Sequence, residues 1–311
     1  MSAPNTTPKP SLPELRTRTT GEILDASIKV WGSNISRVAT VTALITSPFL
    51  FAGALVLKLT KPTIIDEVQR VRDLRAEGSA ASLHITTRMA LGTLSDFGLS
   101  TFATMFAIAA MTVLVSSLYA SVRSSIVVDM DAKLVVAAVS RRSHVIIATH
   151  LAAMFIATLV GLAITVPIGV VGEFAGVPAI RFSAGFVGVS GVWVTYVLLH
   201  SGLPATITEG SGVLSTLKRS VRLSKKHRRE VVAAALVLSI VTAIPNALIT
   251  EMIRSILSGL GGNNSAFDVV WVGAARTVAT AFCLPVAAIG YVYLYVSLRA
   301  HAGETIESSP V

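Results

Sequence analysis

Six runs of mainly apolar residues, at about 36–59, 97–122, 144–171, 182–207, 230–257 and 268–299, leave this chain of 311 residues little choice of architecture. A helix crossing the hydrocarbon core of a bilayer needs roughly 20 such residues, because every backbone polar group there must be satisfied within the segment. Each run meets that length. Only 14% of residues are charged, against about a quarter in soluble domains, so no room is left for a sizeable soluble domain. The expected fold is all-α: a polytopic membrane protein with six transmembrane helices in one domain over 19–300. Residues 1–18 are polar, carry four prolines and lack an apolar core, which predicts a disordered tail and not a signal peptide. Residues 301–311 form a short C-terminal tail.

Stretches with a basic polar face lead into three of the spans, and two of these junctions read alike. Ser27-Ile28-Lys29-Val30 is matched by Ser220-Val221-Arg222-Leu223, and eleven residues past each serine stands a valine, Val38 or Val231. Amphipathic helices lying on the membrane surface and feeding spanning helices account for this pattern. Thr19 and Glu22 have the spacing of a capping box. At 100° per residue Ile23, Leu24, Ser27, Val30 and Trp31 then share one face. Around the third junction Val213, Leu214, Leu217 and Val221 share a face, opposite Lys218, Arg219, Arg222, Lys225, Lys226 and Arg229. A shorter stretch from Lys133 to His144 suggests a second copy, and hence three repeats of an interfacial helix plus a hairpin. A further amphipathic piece, with Pro62 at its start and Ile64, Ile65, Val68 and Val71 on one side, is expected in a long outer loop over 60–96.

Charge sets the expected orientation. Lys and Arg number five in 1–37, four in 123–143 and seven in 208–229, against six, one and one in the alternate connections. By the positive-inside rule both termini are cytoplasmic, in the cell membrane. The net charge of +9 is then read as orientation and contact with anionic lipid head groups, not nucleic-acid binding. Lys218, Arg219, Arg222, Lys225, Lys226 and Arg229, six of the seven cations of this connection, are the candidate lipid contacts.

Within the spans, Pro48, Pro167, Pro204, Pro245 and Pro285 are candidate helix kinks. Kinked helices meeting at mid-depth surround cavities in transporters, which makes a small-solute or lipid permease the first alternative function. Ala184, Gly188, Gly191 and Thr195 form a small-residue stripe suited to close helix approach. Ionisable groups in apolar runs are costly, and His150, His200 and Arg276 are the candidate intramembrane polar residues. The histidines read as neutral rings bonded to neighbouring carbonyls, and Arg276 as able to snorkel outward.

Motifs for chemistry are sparse. The single cysteine, Cys283, excludes an internal disulfide and a thiolate cluster. No nucleophile elbow, phosphate-binding loop or H-E-x-x-H occurs. Asp129 and Asp131 motivate a second alternative, a metal-dependent phospholipid enzyme, although two carboxylates fall short of a divalent site. No catalytic centre, metal site or cofactor is expected.

The run Thr20-Gly21-Glu22-Ile23-Leu24-Asp25-Ala26-Ser27, with Lys29 and an apolar span after it, resembles the opening of a family of bacterial six-span proteins. That family is labelled by similarity to the membrane domain of glycerophosphoryl diester phosphodiesterase. Glu209-Gly210, then Leu214, Leu217-Lys218-Arg219-Ser220 and Arg222-Leu223, resembles its second hallmark, and Tyr291 to Arg299 its closing span. The alanine- and valine-rich spans are similar to those of actinobacterial members. The resemblance covers essentially the whole chain and implies a six-span module without the phosphodiesterase barrel and with no agreed activity. The function expected is therefore an accessory, scaffolding or lipid-handling module whose partners are membrane lipids and a membrane protein.

Overall fold

A computed structural model of the chain describes residues 16–60, 80–124, 131–259 and 265–304. The architecture is all-α. In chain order the helices are α1 (Thr20–Ser33), α2 (Ile35–Thr60), α3 (Ala80–Ser124), α4 (Ala132–Arg141), α5 (Ser143–Phe174), α6 (Pro178–His200), α7 (Ala205–Thr208), α8 (Val213–Ser224), α9 (Arg228–Gly259) and α10 (Ser265–His301). Six segments are long and apolar enough to cross a membrane: Ile35–Thr60, Ser95–Tyr119, Ser143–Phe174, Ser183–Thr208, Arg228–Ile256 and Val269–His301.

Three short amphipathic helices, α1, α4 and α8, each precede a span, and their burial follows one register. Ser27, Val135 and Ser220 are fully buried, and the residue eleven places on is fully buried in each copy: Val38, Ile146 and Val231. The position just after each inward residue is an exposed aliphatic: Ile28, Val136 and Val221. A surface helix has one side for the bundle and an adjacent side outside it, and the three copies divide their residues the same way. Helix α1 starts where its cap dictates. Thr19 Oγ1 accepts from the Glu22 N–H, and the Glu22 carboxylate accepts from the Thr19 N–H at 2.7 Å, so two orphan donors are satisfied.

Helix α10 is the central rod, with 83% of its most apolar window buried, whereas α5 shows 11% and lies at the periphery. Lipid is as apolar as leucine, so membrane helices associate through close packing, which small residues permit. The buried face of α10 carries Ala275, Ala279, Ala287 and Ala288, and at Gly290 the Leu238 side chain lies where a Cβ would stand. The stripe on α6 serves the same purpose against α5, inside the chain: Gly188 meets Thr165, Gly191 meets Ile164, and Gly161 of α5 faces Val192 and the Gly188 carbonyl. A Cβ on Gly161 would lie 3.2 Å from that carbonyl, which cannot rotate away. Gly161→Ala is expected to push the two helices apart at a cost of about 1–3 kcal/mol. Thermal unfolding in micelles measures this, and an unchanged midpoint would sink the close-packing account.

Two boundaries differ from the sequence reading. Residues 80–94, assigned to a loop, belong to the 45-residue α3, which runs on into its span. The proposed amphipathic piece from Pro62 to Val71 lies outside the described residues. The fourth span is interrupted at 201–204, where a turn separates α6 from α7. Arg18 and Ser297 meet at one end of the bundle. The Arg18 N–H donates to Ser297 Oγ at 2.9 Å, the Arg18 guanidinium lies 5.0 Å from the Tyr293 ring centre, and the Tyr293 and Tyr119 hydroxyls are 2.8 Å apart.

Candidate functional site

The three sequence motifs converge at this end of the bundle. Glu209 and Gly210 form the turn before α8. Gly210 has φ +67°, a left-handed conformation that favours glycine, and its carbonyl accepts from Arg142 Nη1 at 3.1 Å. Glu209 then accepts from Arg219 Nη2 at 2.8 Å and from the Tyr295 hydroxyl of α10. Ser220, in the middle of α8, accepts the Gly202 N–H at 2.9 Å and so bolts α8 to the interruption of the fourth span. At the other side, Gly303 (φ +71°) ends α10 and turns Glu304 back over it, with the Glu304 N–H reaching the Arg299 carbonyl at 3.2 Å. The Glu304 carboxylate then accepts from both Arg219 terminal nitrogens, at 2.5 and 2.6 Å, and from Arg299 Nε at 2.8 Å.

Two arginines and two carboxylates thus neutralise one another in a largely buried latch. The side chains of Arg299, Glu209 and Arg219 retain 2%, 7% and 11% of their exposure. Burial disfavours the Glu304 anion, but hydrogen bonds and charge from Arg219 and Arg299 outweigh it, and its pKa falls below the ordinary value. Burial likewise works against the Arg219 cation, and the bond to Glu304 with the charges of Glu209 and Glu304 raises its pKa nonetheless. Arg219 therefore faces the bundle, unlike the other five cations proposed to meet lipid. A helical wheel shows only that it lies off the apolar stripe, and its acceptors come from other elements.

Lys218, Arg222, Lys225, Lys226 and Arg229 are all exposed. Arg222, 70% exposed, is 4.0 Å from Glu304 and pairs only loosely. Helix α8 seats Thr216, Leu217, Ser220, Leu223 and Ser224 on the bundle. Leu214 and Val221 do not pack inward with Leu217. They are 71% and 46% exposed and stand one turn from Lys218 and Lys225. The outward side of α8 is therefore an aliphatic strip edged by lysines.

Deeper in the bundle, the structure brings His150 and His200 together. Both are 1% exposed and their facing nitrogens are 3.5 Å apart. Thr101 donates its hydroxyl hydrogen to the Gly98 carbonyl at 2.7 Å, so its oxygen accepts from His150 Nε2–H at 3.2 Å. His200 Nδ1–H donates to the Tyr196 carbonyl at 2.9 Å. His150 Nδ1 is then the lone-pair nitrogen and accepts the Tyr196 hydroxyl at 3.3 Å. These bonds suit neutral imidazoles and join α3, α5 and α6, with the Phe102 ring 4.4 Å from His150. The groups that meet the two rings are the Thr101 and Tyr196 hydroxyls and the Tyr196 carbonyl.

Arg276 is fixed in place and does not snorkel. Its guanidinium donates to both Asp96 oxygens, at 2.6 and 3.2 Å, and to Ser100 Oγ at 3.0 Å, tying α10 to α3. Asp96 falls in the stretch 60–96 that the sequence assigns to the outer loop, whereas it lies within α3, so sequence alone does not show the pairing. Gly53 of α2 makes the space, since a Cβ there would overlap the Asp96 carboxylate.

The five prolines do not share one environment. Pro48, Pro167 and Pro245 lie within helices and are exposed on the outside of the bundle. Pro285 is buried inside α10, and Pro204 is buried in the turn before α7. Asp131 is the N-cap of α4 and accepts from the Lys133 N–H at 3.2 Å, while Asp129 lies outside the described residues. Comparisons with protein-family models, with curated proteins and with solved structures returned no match.

Proposed function

We propose that this protein is a lipid-handling or scaffolding module of a bacterial cytoplasmic membrane, without a catalytic centre of its own, whose basic surface helix holds anionic lipid head groups. The observation that carries this reading is the division of α8. Its one inward cation, Arg219, is neutralised by Glu304 and Glu209, while Lys218 and Arg222 on the same helix and Lys225, Lys226 and Arg229 just beyond it are exposed, as are Leu214 and Val221. Aliphatic side chains that dip below the head groups, with lysines beside them reaching phosphate, are the interfacial arrangement. The Lys and Arg tally favours this end as cytoplasmic, with both termini there. Placement in the six-span family named above is part of the same proposal. Its second and third motifs supply Glu209, Arg219, Tyr295 and Arg299 to the latch, which accounts for them without an enzymatic role.

Each cation near an anionic surface is worth about 1 kcal/mol. Replacing Lys218, Arg222, Lys225, Lys226 and Arg229 together by glutamine is therefore expected to lower the retention of anionic lipid at least tenfold. Native mass spectrometry of the full chain extracted from membranes of known composition measures it, with retention of zwitterionic lipid as the internal reference. The same ratio of anionic to zwitterionic lipid in variant and parent would end the proposal. A fall in salt sensitivity should accompany the loss, since exposed charges are screened over about 8 Å at physiological ionic strength.

A further inference from the structure

We propose that His227, Glu230 and His301 form a binding site for one divalent transition-metal ion of the zinc and cobalt class. The inference is independent of the lipid reading and concerns a different edge of the same face. His227 immediately precedes α9, and its carbonyl accepts the Val231 N–H at 3.0 Å. This places Glu230 one turn on, with both carboxylate oxygens 3.2 Å from His227 Nδ1. A histidine and glutamate at a helix start need no third partner to cap it. Yet His301, the last residue of α10, brings its ring to 4.1 Å from that of His227, and its Nε2 to 4.0 Å from the Glu230 carboxylate.

His301 is prepared as a ligand. Its Nδ1–H donates to the Ser297 carbonyl at 2.9 Å, so in the neutral ring Nε2 holds the lone pair, and it is Nε2 that faces Glu230. Metal-binding histidines are oriented in this way by a bond from the other ring nitrogen. The three ligand atoms all lie within 4.8 Å of one another. Donors around a tetrahedral ion with bonds of about 2.0–2.1 Å stand roughly 3.4 Å apart. The His227–Glu230 separation is already below that, His301 Nε2 stands 4.0 Å from Glu230, and the two histidine ligand atoms lie within 4.8 Å, so His301 is the ligand that has to close on the other two. Two imidazoles and a carboxylate suit a borderline ion such as zinc, not calcium or magnesium, which take oxygen ligands. Glu230 and His301 also line a cleft of about 460 Å³ between α1, α9 and α10. The remaining coordination positions would open toward that cleft, to water or to an oxygen ligand. Binding through His227 Nδ1 uses the tautomer with its proton on Nε2, so the ion takes the place of the bond between Nδ1 and the Glu230 carboxylate.

The test titrates the chelator-stripped full chain in micelles with cobalt(II), followed by its visible absorption, and with zinc in competition. One equivalent per chain is expected. Glu230→Gln and His301→Ala should each weaken binding at least tenfold, while His144→Ala, an exposed histidine elsewhere in the chain, should leave it unchanged. Substoichiometric uptake, or equal affinity in the His227→Ala/His301→Ala double variant, overturns the site. The unfolding midpoint of each metal-free variant reports whether it folds. If the double variant does not, Glu230→Gln decides the question by the same criterion.

Discussion

Replacing Arg276 by methionine is expected to destabilise the bundle by roughly 3–5 kcal/mol, the usual cost of leaving one member of a buried ion pair alone. Asp96 and Arg276 each keep 19% of their side-chain exposure, and the pair sits where α2, α3 and α10 meet. Without the guanidinium, Asp96 must take up a proton or draw water into an apolar run, and both are costly. The double variant Asp96→Asn/Arg276→Met should recover most of the loss, because the remaining partners are uncharged and of similar volume. Unfolding of the three variants in mixed micelles gives the coupling energy directly. A single-variant loss below about 1 kcal/mol, or simple additivity in the cycle, would mean that the pair is solvated and contributes little.

Arg219→Gln is the second large effect, and it separates two roles that the sequence assigns to one cluster. The substitution leaves Glu209 without its cation beside Tyr295, and leaves Glu304 with Arg299 as its main partner. A loss of about 3 kcal/mol is expected, with little change in anionic-lipid retention. The five-residue glutamine variant should behave in the opposite way. If instead Arg219→Gln strips lipid and leaves stability intact, the inward placement of Arg219 is wrong. The sign of the pH dependence follows from Glu304. Its folded pKa is depressed below the ordinary 4.5, so its contribution is present above that value and is lost as pH falls through the lower, folded value. In Arg219→Gln this acid-side loss of stability should shrink.

Much of this architecture was legible because membranes make strict demands. Length and hydropathy alone mark six spans, since no other backbone arrangement survives in hydrocarbon except a closed barrel. The capping box at Thr19 and Glu22 and the inward face of α1 followed from local rules of spacing. The junction repeat was legible as a pair of short motifs, and burial extends it to α4, whose inward residue is Val135 where the other copies have serine. The reason is that the repeat conserves a register of inward and outward positions more than residue identity.

What sequence by itself determined about this protein is therefore its solvent, its helices and the approximate line between surface and span, all properties of segments within about one turn to one membrane thickness. Only the tertiary structure decided which polar groups face one another. Arg219 turns inward because Glu209 and Glu304 arrive from a turn and a helix end, Arg276 is neutralised by an aspartate nearly two hundred residues away in the chain, and His150 meets His200 across two helices. Such pairings depend on the relative rotation and depth of whole helices. Side-chain packing between helices sets these, and no periodicity within one helix encodes them.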